Sequence, residues 1–229
     1  MKGDLIGKGT YGRVYLALNV TSGEMIAVKQ VELPRTDTDR ENARQKGVVN
    51  ALKAEINTLQ HLDHPHIVSY LGFEGTSTHL SIFLEYVPGG SIGSCIRKYG
   101  KFEEPVVSFF LHQILEGLAY LHDKGILHRD LKADNILVDW DGICKISDFG
   151  TVRKTDDIYN NQEMSLQGSI FWMAPEVINM TADGYSAKVD IWSLGCVVLE
   201  MLAGRRPWSE QEAVQAMLRV SLIFARRQV

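Results

Sequence analysis

A glycine-rich break, VPGGS at residues 87–91, separates two parts of this sequence that differ in hydrophobic periodicity. Before the break, residues 4–20 and 24–33 alternate apolar and polar side chains on either side of a turn-forming TSG, which is typical of paired strands. Residues 66–87 predict two more strands. The first part is therefore predicted to be a small β-rich unit that ends near Val87.

Helical spacing dominates after the break. Residues 104–125 predict a long amphipathic helix, and residues 189–204 are so apolar that they predict a buried one. The apolar face predicted for the first of these helices consists of Phe109, Ile114, Leu118 and Leu121. One helix is also expected in the first part, over 48–62, after a polar stretch at 34–47 that is expected to be a mobile connection.

The totals exclude several classes of protein. The chain has 229 residues, of which 45% are hydrophobic and 23% charged, enough for a sizeable core in one or two domains. A net charge of −4 gives no reason to expect a nucleic acid or an anionic membrane as partner. Three cysteines far apart in sequence fit a reducing compartment. Because we find no signal-peptide pattern and no membrane-spanning run, we expect a cytoplasmic protein without membrane insertion.

The segment ILHRDLKADNILV, residues 126–138, places charged and polar side chains between two apolar runs. Asp130 is either a general base or a residue that orders a loop. Asn135 and the Asp148 of KISDFG are hard oxygen ligands suited to Mg²⁺ that keeps some water and bridges phosphates. Lys132 can neutralise charge on a group in transfer. Together these side chains predict phosphoryl transfer to a hydroxyl group.

GKGTYG at residues 7–12 has a glycine spacing that dinucleotide sites and ordinary hairpins share. Residues 13–18 continue as a predicted strand, which favours a hairpin flap whose backbone N–H groups approach phosphates. Lys29 closes an apolar strand and needs an anion, either phosphate or a carboxylate. Glu55 is a candidate for that carboxylate, although a glutamate on a helix is usually solvated.

In chain order, G-x-G-x-x-G-x-V, A-V-K, H-R-D-L-K-x-x-N, D-F-G and A-P-E resemble the signature of eukaryotic protein kinases. The resemblance runs from the first residues to about residue 220. It implies the two-lobed α+β kinase fold, with a small β-rich N-lobe at 1–87 and a mainly helical, truncated C-lobe at 88–229 that ends in a divergent tail at about 221–229. It also implies ATP and Mg²⁺.

The resemblance assigns roles residue by residue. Asp130 is the implied catalytic base, with Lys132, Lys29 and Glu55 as further catalytic residues, and Lys29 holds the α- and β-phosphates. Asn135 and Asp148 are the implied metal ligands. The implied ATP-binding residues are Ile6, Gly7, Gly9, Gly12, Val14, Ala27, Lys29, Glu85, Val87 and Leu137.

Further positions resemble structural parts of a kinase. Leu84 resembles the gatekeeper, and Asp190 is expected to hold the backbone of the catalytic loop. The residues that resemble the stacked spine are His128, Phe149, Leu59 and Tyr70.

The subtype follows from longer matches. Lys132 and the segment GSIFWMAPE resemble serine/threonine rather than tyrosine kinases. LEYVPGGSIGSCIRKYGKFEE and GYSAKVDIWSLGCVVLEMLAGRRPWS resemble a MAP kinase kinase kinase, of the fungal cell-wall-integrity type. The resemblance implies a protein substrate, a MAP kinase kinase, and an upstream activating kinase.

Control by phosphate is a further expectation. Arg129 is a cation that needs an anion, and residues 151–167 contain no apolar anchor. Phosphate on Ser165, or alternatively on Thr155, would order this segment through charge-assisted hydrogen bonds to Arg129 and Arg153. Ser169 is expected to face the catalytic loop. These hydroxyl groups could equally be ordinary solvated loop residues.

Two departures from the kinase pattern leave an alternative open. The chain stops before the last helices of a kinase C-lobe, and it lacks the arginine that normally pairs with Glu176 of A-P-E. Arg205 and Arg206 are candidate replacements. The alternative function is a truncated, catalytically inactive kinase fragment that acts only as a binding module.

Overall fold

The computed structural model describes residues 2–8, 12–33, 52–53, 55–149, 153–154, 170–179 and 186–226. The chain divides into two compact units. The first unit is Met1–Pro88 with Asp148–Thr151, and the second is Gly89–Ser147 with Val152–Val229. The predicted fold class, a β-sheet unit and a mainly helical unit, is confirmed. The lobe boundary at 87/88 stays a prediction, and the polar stretch 34–47 lies outside the described residues.

The first unit contains one antiparallel sheet of five strands, in the order β1-β2-β3-β5-β4. The strands are β1 (Lys2–Lys8), β2 (Arg13–Leu18), β3 (Met25–Glu32), β4 (Tyr70–Gly75) and β5 (His79–Glu85). Strand register places Val14 opposite Lys29 and Ala27 opposite Leu84. Because directly opposed residues and alternate residues share a face, one face of the sheet carries all four of these side chains.

The core of the first unit joins the sheet to the predicted helix. Residues 52, 53 and 55–59 are helical, as the spacing of their apolar residues predicts. The buried cluster consists of Val31, Leu52, Ile56, Leu80 and Ile82. This packing places the side of the helix that carries Glu55 against the middle of the sheet.

The second unit contains five helices and four short strands among the described residues. The helices are α1 (Ile92–Tyr99), α2 (Glu104–Asp123), α3 (Pro175–Ile178), α4 (Lys188–Ala203) and α5 (Ala213–Arg226). Strand β6 (Ile126–Leu127) pairs with β9 (Arg153–Lys154), and β7 (Ile136–Val138) pairs with β8 (Cys144–Ile146). Helix α5 runs through residues 221–226, which the sequence reading treated as part of a divergent tail.

Helix α2 has the predicted extent, but one residue of its predicted core stripe is misplaced. Ile114, Leu118 and Leu121 are buried, whereas Phe109 is 54% exposed and Val107 is buried instead. Phe109 precedes Ile114 by five residues, which is about 140° around a helix of 3.6 residues per turn. The assignment of Phe109 to the buried face was therefore wrong.

Helix α4 is buried on one side only. Its neighbours include α1, α2 and the 3₁₀ turn Ile170–Trp172, while the residues left exposed on the other side are Ile191, Leu199 and Leu202. The prediction of a fully buried helix is thus wrong for this side, because apolar composition alone does not show which neighbours cover a helix. No helix within the described residues is both long enough and apolar enough to cross a membrane.

Glycine allows the segment before α1 to lie close to strand β7. A Cβ atom at Gly89 would overlap the carbonyl oxygen of Val138, and the neighbouring Gly90 carbonyl accepts a hydrogen bond from the Val138 N–H at 2.8 Å. By contrast, a Cβ atom at Gly195, inside α4, would meet nothing within 4 Å.

We predict that Gly89→Ala lowers the free energy of unfolding by about 1–3 kcal/mol, because the backbone must separate to admit the methyl group. The matched substitution Gly195→Ala should leave stability unchanged or raise it by up to about 1 kcal/mol, since alanine is the better helix former. Urea unfolding of both variants measures this difference. Equal stability of the two variants would contradict the close approach at Gly89.

Candidate active site

Lys29 lies at the centre of a buried ionic cluster in the first unit. Its Nζ atom donates to both carboxylate oxygens of Glu55 at 2.8 Å and to Oδ1 of Asp148 at 2.8 Å. Lys29 and Glu55 are 4% and 2% exposed, whereas the side chain of Asp148 is 23% exposed. The Lys29–Glu55 pair predicted from the sequence is therefore present, and its role in a reaction stays a prediction.

Two carboxylates share one ammonium group in this cluster. Burial alone would lower the pKa of Lys29, but Asp148 and Glu55 outweigh it and hold that pKa above its ordinary value. Burial raises the pKa of Glu55, and Asp148 adds to the rise, while Lys29 and the backbone N–H of Phe149 oppose it. The cluster therefore keeps a protonated Lys29 and an excess of negative charge.

The other residues predicted to bind ATP in the first unit lie mainly on the sheet. Val14 and Ala27 share the face of Lys29, whereas Val87 is buried just after β5. Glu85 ends β5 and accepts a hydrogen bond from the Ser69 N–H at 3.1 Å. Gly9 lies outside the described residues. The remaining predicted positions are Ile6 and Gly7 in β1, Gly12 before β2, and Leu137 in β7 of the second unit.

Asp190 fixes the catalytic loop in the second unit. Its fully buried carboxylate accepts hydrogen bonds from the backbone N–H groups of His128 at 2.9 Å and Arg129 at 2.8 Å. His122 Nε2 lies 2.8 Å from the same carboxylate. Arg129 has a φ of 66°, a left-handed conformation that non-glycine residues rarely adopt. The prediction that Asp190 holds the backbone of this loop is confirmed.

These contacts also decide the charge of Asp190. Burial alone would raise its pKa, but the hydrogen bond to His122, the nearby His128 ring and the backbone N–H groups of Arg129 and His128 together lower it. Asp190 therefore remains ionised in the folded protein.

Asp130 directly follows the two residues that Asp190 holds, and its two carboxylate oxygens have different surroundings. Its Oδ2 accepts hydrogen bonds from Lys132 Nζ at 2.8 Å and Asn135 Nδ2 at 3.1 Å. Asn135 Nδ2 also donates to the Asp130 carbonyl at 2.8 Å. The other carboxylate oxygen, Oδ1, is buried and has no hydrogen-bond partner among the described residues. The loop thus presents a preorganised acceptor for a proton.

A network that the sequence reading missed supports the loop from α4. Glu200 is buried, and its Oε2 accepts hydrogen bonds from Trp172 Nε1 at 2.6 Å and from the Ala133 N–H at 3.2 Å. Ser193 Oγ donates to the Trp172 carbonyl at 2.9 Å. Burial raises the pKa of Glu200, and the hydrogen bonds from Trp172 and Ala133 partly offset the rise. The one sign of this network in the sequence is that Glu200 is an acidic residue within an otherwise apolar stretch of α4.

The replacements proposed for the missing arginine are wrong. Arg205 forms an exposed ion pair with Glu210 at 2.9 Å, and Arg206 stacks on the Phe171 ring at 3.6 Å from its centroid. Neither arginine pairs with Glu176 in the described structure. Each has a nearer partner in its own neighbourhood.

The predicted regulatory sites stay predictions. Thr155, Ser165 and Ser169 lie outside the described residues. The stacked arrangement predicted for His128, Phe149, Leu59 and Tyr70 also stays a prediction.

The lowered pKa of Asp190 predicts an acid-dependent stability. Because the folded pKa lies below the ordinary 3.8, the ionised carboxylate stabilises the fold above pH 3.8, and this stabilisation is lost as the pH falls through the folded pKa. Asp190→Asn should lower the free energy of unfolding by on the order of 2 kcal/mol at pH 7. That difference should shrink below about pH 3.8. Urea unfolding of both proteins at several pH values measures this difference in the free energy of unfolding. A difference that does not change with pH would contradict an ionised Asp190.

Known proteins resemble this chain along nearly its whole length. The family model of the protein kinase domain matches residues 1–227. The chain is 63% identical over 221 residues to MAP kinase kinase kinase mkh1 of Schizosaccharomyces pombe, across 96% of this chain and 20% of that protein. It is 60% identical over 220 residues to serine/threonine-protein kinase BCK1/SLK1/SSP31 of Saccharomyces cerevisiae, across 96% of this chain and 15% of that protein.

A plant relative is more distant. Mitogen-activated protein kinase kinase kinase 3 of Arabidopsis thaliana is 47% identical over 211 residues, across 92% of this chain and 32% of that protein. The chain thus spans a third or less of the length of each of these relatives. The predicted resemblance to fungal MAP kinase kinase kinases is confirmed. Since the family model covers nearly the whole chain, this chain belongs to the protein kinase family.

Proposed function

We propose that this chain transfers the γ-phosphate of ATP to a serine or threonine hydroxyl group of a protein substrate. The observation that carries the proposal is the buried, unpartnered Oδ1 of Asp130. A buried carboxylate oxygen without a donor is unfavourable unless a ligand supplies one. The hydroxyl group of a substrate supplies such a donor.

The proton transfer is assigned to Asp130. The substrate hydroxyl oxygen forms a bond to the γ-phosphorus, the bond between that phosphorus and the β–γ bridging oxygen breaks, and Asp130 Oδ1 accepts the hydroxyl proton. Lys132 and Asn135 hold the other oxygen, Oδ2, so that Oδ1 keeps its orientation. Lys132 also supplies positive charge beside the phosphoryl group in transfer.

Lys29 is assigned to the phosphates of ATP. Its ammonium group is buried, protonated and fixed by both oxygens of Glu55, so it is a preorganised cation. A fixed positive charge that needs no reorganisation stabilises phosphate better than a mobile one.

Asp148 of the first unit and Asn135 of the second carry oxygen donors of the kind that Mg²⁺ prefers. Protein kinases as a family use ATP and a divalent metal, and we propose Mg²⁺ held by Asp148 and Asn135. Among the described residues no group of three or more His, Cys, Asp or Glu side chains could hold a metal alone. Mg²⁺ is typically bound by one or two protein ligands plus water and substrate phosphates, which matches this set. When bound, it would neutralise charge on the phosphate oxygens.

The biological setting is proposed from the relatives. Fungal relatives such as mkh1 are named MAP kinase kinase kinases, which supports a MAP kinase kinase as substrate and an upstream kinase as activator. We further propose that the chain acts in the cell-wall-integrity pathway and that it is located in the cytoplasm. None of the three cysteines forms a disulfide in the described structure, and burial raises the pKa of Cys144 and Cys196 to about 12, which fits inert thiols in a reducing compartment.

Nucleotide binding tests the proposal first. The midpoint of thermal unfolding should rise with Mg·ATP, by the equivalent of about 2.7 kcal/mol at one hundred times Kd. Lys29→Arg, which keeps a cation but changes its geometry, should lose most of the shift and of the phosphoryl transfer. Lys98→Arg, at an exposed lysine, is the matched control. Cooperative unfolding without any shift would instead support the inactive binding-module alternative.

Asp130→Asn separates proton transfer from nucleotide binding. We predict that kcat falls on the order of 10²–10⁴-fold, because the amide cannot accept the proton. KM for ATP should stay nearly constant, since Asp130 acts on the hydroxyl group. Steady-state phosphorylation of a MAP kinase kinase measures both constants, with the exposed Asp123→Asn as control. A change confined to KM for ATP would show that the role of Asp130 is misassigned.

A further inference from the structure

The turn between β7 and β8 exposes a tryptophan. Trp140 is 80% exposed, whereas Trp172 is buried and the other two tryptophans are at least partly covered. A side chain of this size costs free energy when it remains in water, and it is the residue type most enriched at binding hot spots. Its position therefore calls for an explanation other than packing within this chain.

The turn is rigid. Oδ1 of Asp139 accepts hydrogen bonds from the backbone N–H groups of Asp141 and Ile143, both at 2.9 Å. Gly142 has a φ of 80° and closes the turn. Gln113 of α2 anchors the far side by donating to the Gly142 carbonyl at 3.2 Å and accepting from the Cys144 N–H at 2.9 Å. A rigid turn loses little conformational entropy when its tip is bound.

Other apolar side chains lie beside this turn. Phe109 of α2 is 54% exposed, and its ring would contact a Cβ atom at Gly142 at 3.5 Å. Val106 and Gln113 flank Phe109 at helical spacing, so the same side of α2 meets the turn. The exposed residues of this surface, which we name the Trp140 patch, are Val106, Phe109, Trp140 and Ile143. None of them has a role in the proposed reaction.

Acidic residues border the patch. Asp141 follows Trp140 directly and is exposed, and Glu103 and Glu104 are exposed at the start of α2, on the turn before Val106. Asp139 adds a fourth carboxylate, whereas the cations close to these residues in sequence are two, the exposed Lys101 and the half-buried Lys145. The border is therefore negative and repels anionic lipid or nucleic acid, while it attracts lysine and arginine.

We infer that the Trp140 patch is a docking surface for an extended segment of a partner protein that carries lysine or arginine next to leucine, isoleucine or an aromatic residue. A stable interface between two folded proteins needs about 20–30 residues on each side, and this patch is much smaller, which favours a short segment. The apolar side chains of the segment would cover Trp140 and Phe109. Its basic side chains would face Asp141 and the start of α2.

The inference can be tested by selecting, from a library of randomised ten-residue peptides, those that bind the unmodified chain. Peptides that bind should be enriched in lysine or arginine beside an aliphatic or aromatic residue. Trp140→Ser should raise their Kd tenfold or more, and Asp141→Lys threefold or more with a weaker dependence on salt. Both positions are exposed, so the thermal midpoint should not change. Val214→Ser, at an apolar residue of α5 that is 69% exposed, is the control and should bind like wild type.

Several results would overturn the inference. The first is a selection that enriches no peptide, or peptides that bind Trp140→Ser as well as wild type. The second is a set of peptides that depends on Trp140 but contains no basic residue. The third is a concentration-dependent dimer of the wild type that Trp140→Ser dissociates, since the occupant would then be a second copy of this chain. Binding needs no turnover, so these results are independent of the proposed kinase activity.

Discussion

The buried carboxylate of Asp190 is the constraint on which the catalytic loop depends. Burial of a charge is unfavourable unless hydrogen bonds replace the lost water, and Asp190 has the N–H groups of His128 and Arg129 and the ring of His122. Those bonds also hold Arg129 at a φ of 66°, a conformation that persists only where its surroundings fix it. Asp130 is the next residue, so its position depends on this clamp.

In the first unit, the buried charges are balanced differently from those around Asp190. Lys29 has two carboxylates around one ammonium group, whereas Asp190 has enough donors for all of its charge. Glu55 is the more deeply buried partner and fixes Lys29, while the side chain of Asp148 is 23% exposed. The excess negative charge therefore lies on the side that solvent can reach. This is the arrangement expected of a cluster that accepts a further cation along with a phosphate.

The sequence predicted those parts of the site in which a charge lies in an apolar context beside a known motif. Lys29 in β3 and Asp190 at the start of α4 are both charges of this kind. The strands and the long helix α2 were predicted as well, from the periodicity of their apolar residues. Glu200 was not predicted, because its partners Trp172 and Ala133 are 28 and 67 residues away. Helical periodicity shows that a glutamate lies in an apolar helix, but only the folded chain shows what it binds.

The exposure of aromatic residues is a second feature that the sequence alone did not predict. Phe109 was assigned to the buried face of α2 from helical spacing, yet five residues of helix turn it away from Ile114 and towards the β7–β8 turn. There it lies beside Gly142, in the turn that also carries Trp140 and that is fixed by Asp139 and by Gln113 of α2. Buried acids thus fix the loop that carries Asp130, and hydrogen bonds of the same kind hold an uncovered aromatic surface on the same unit. Rigidity at both places has one physical origin, namely polar side chains that satisfy backbone groups which no helix or strand pairs.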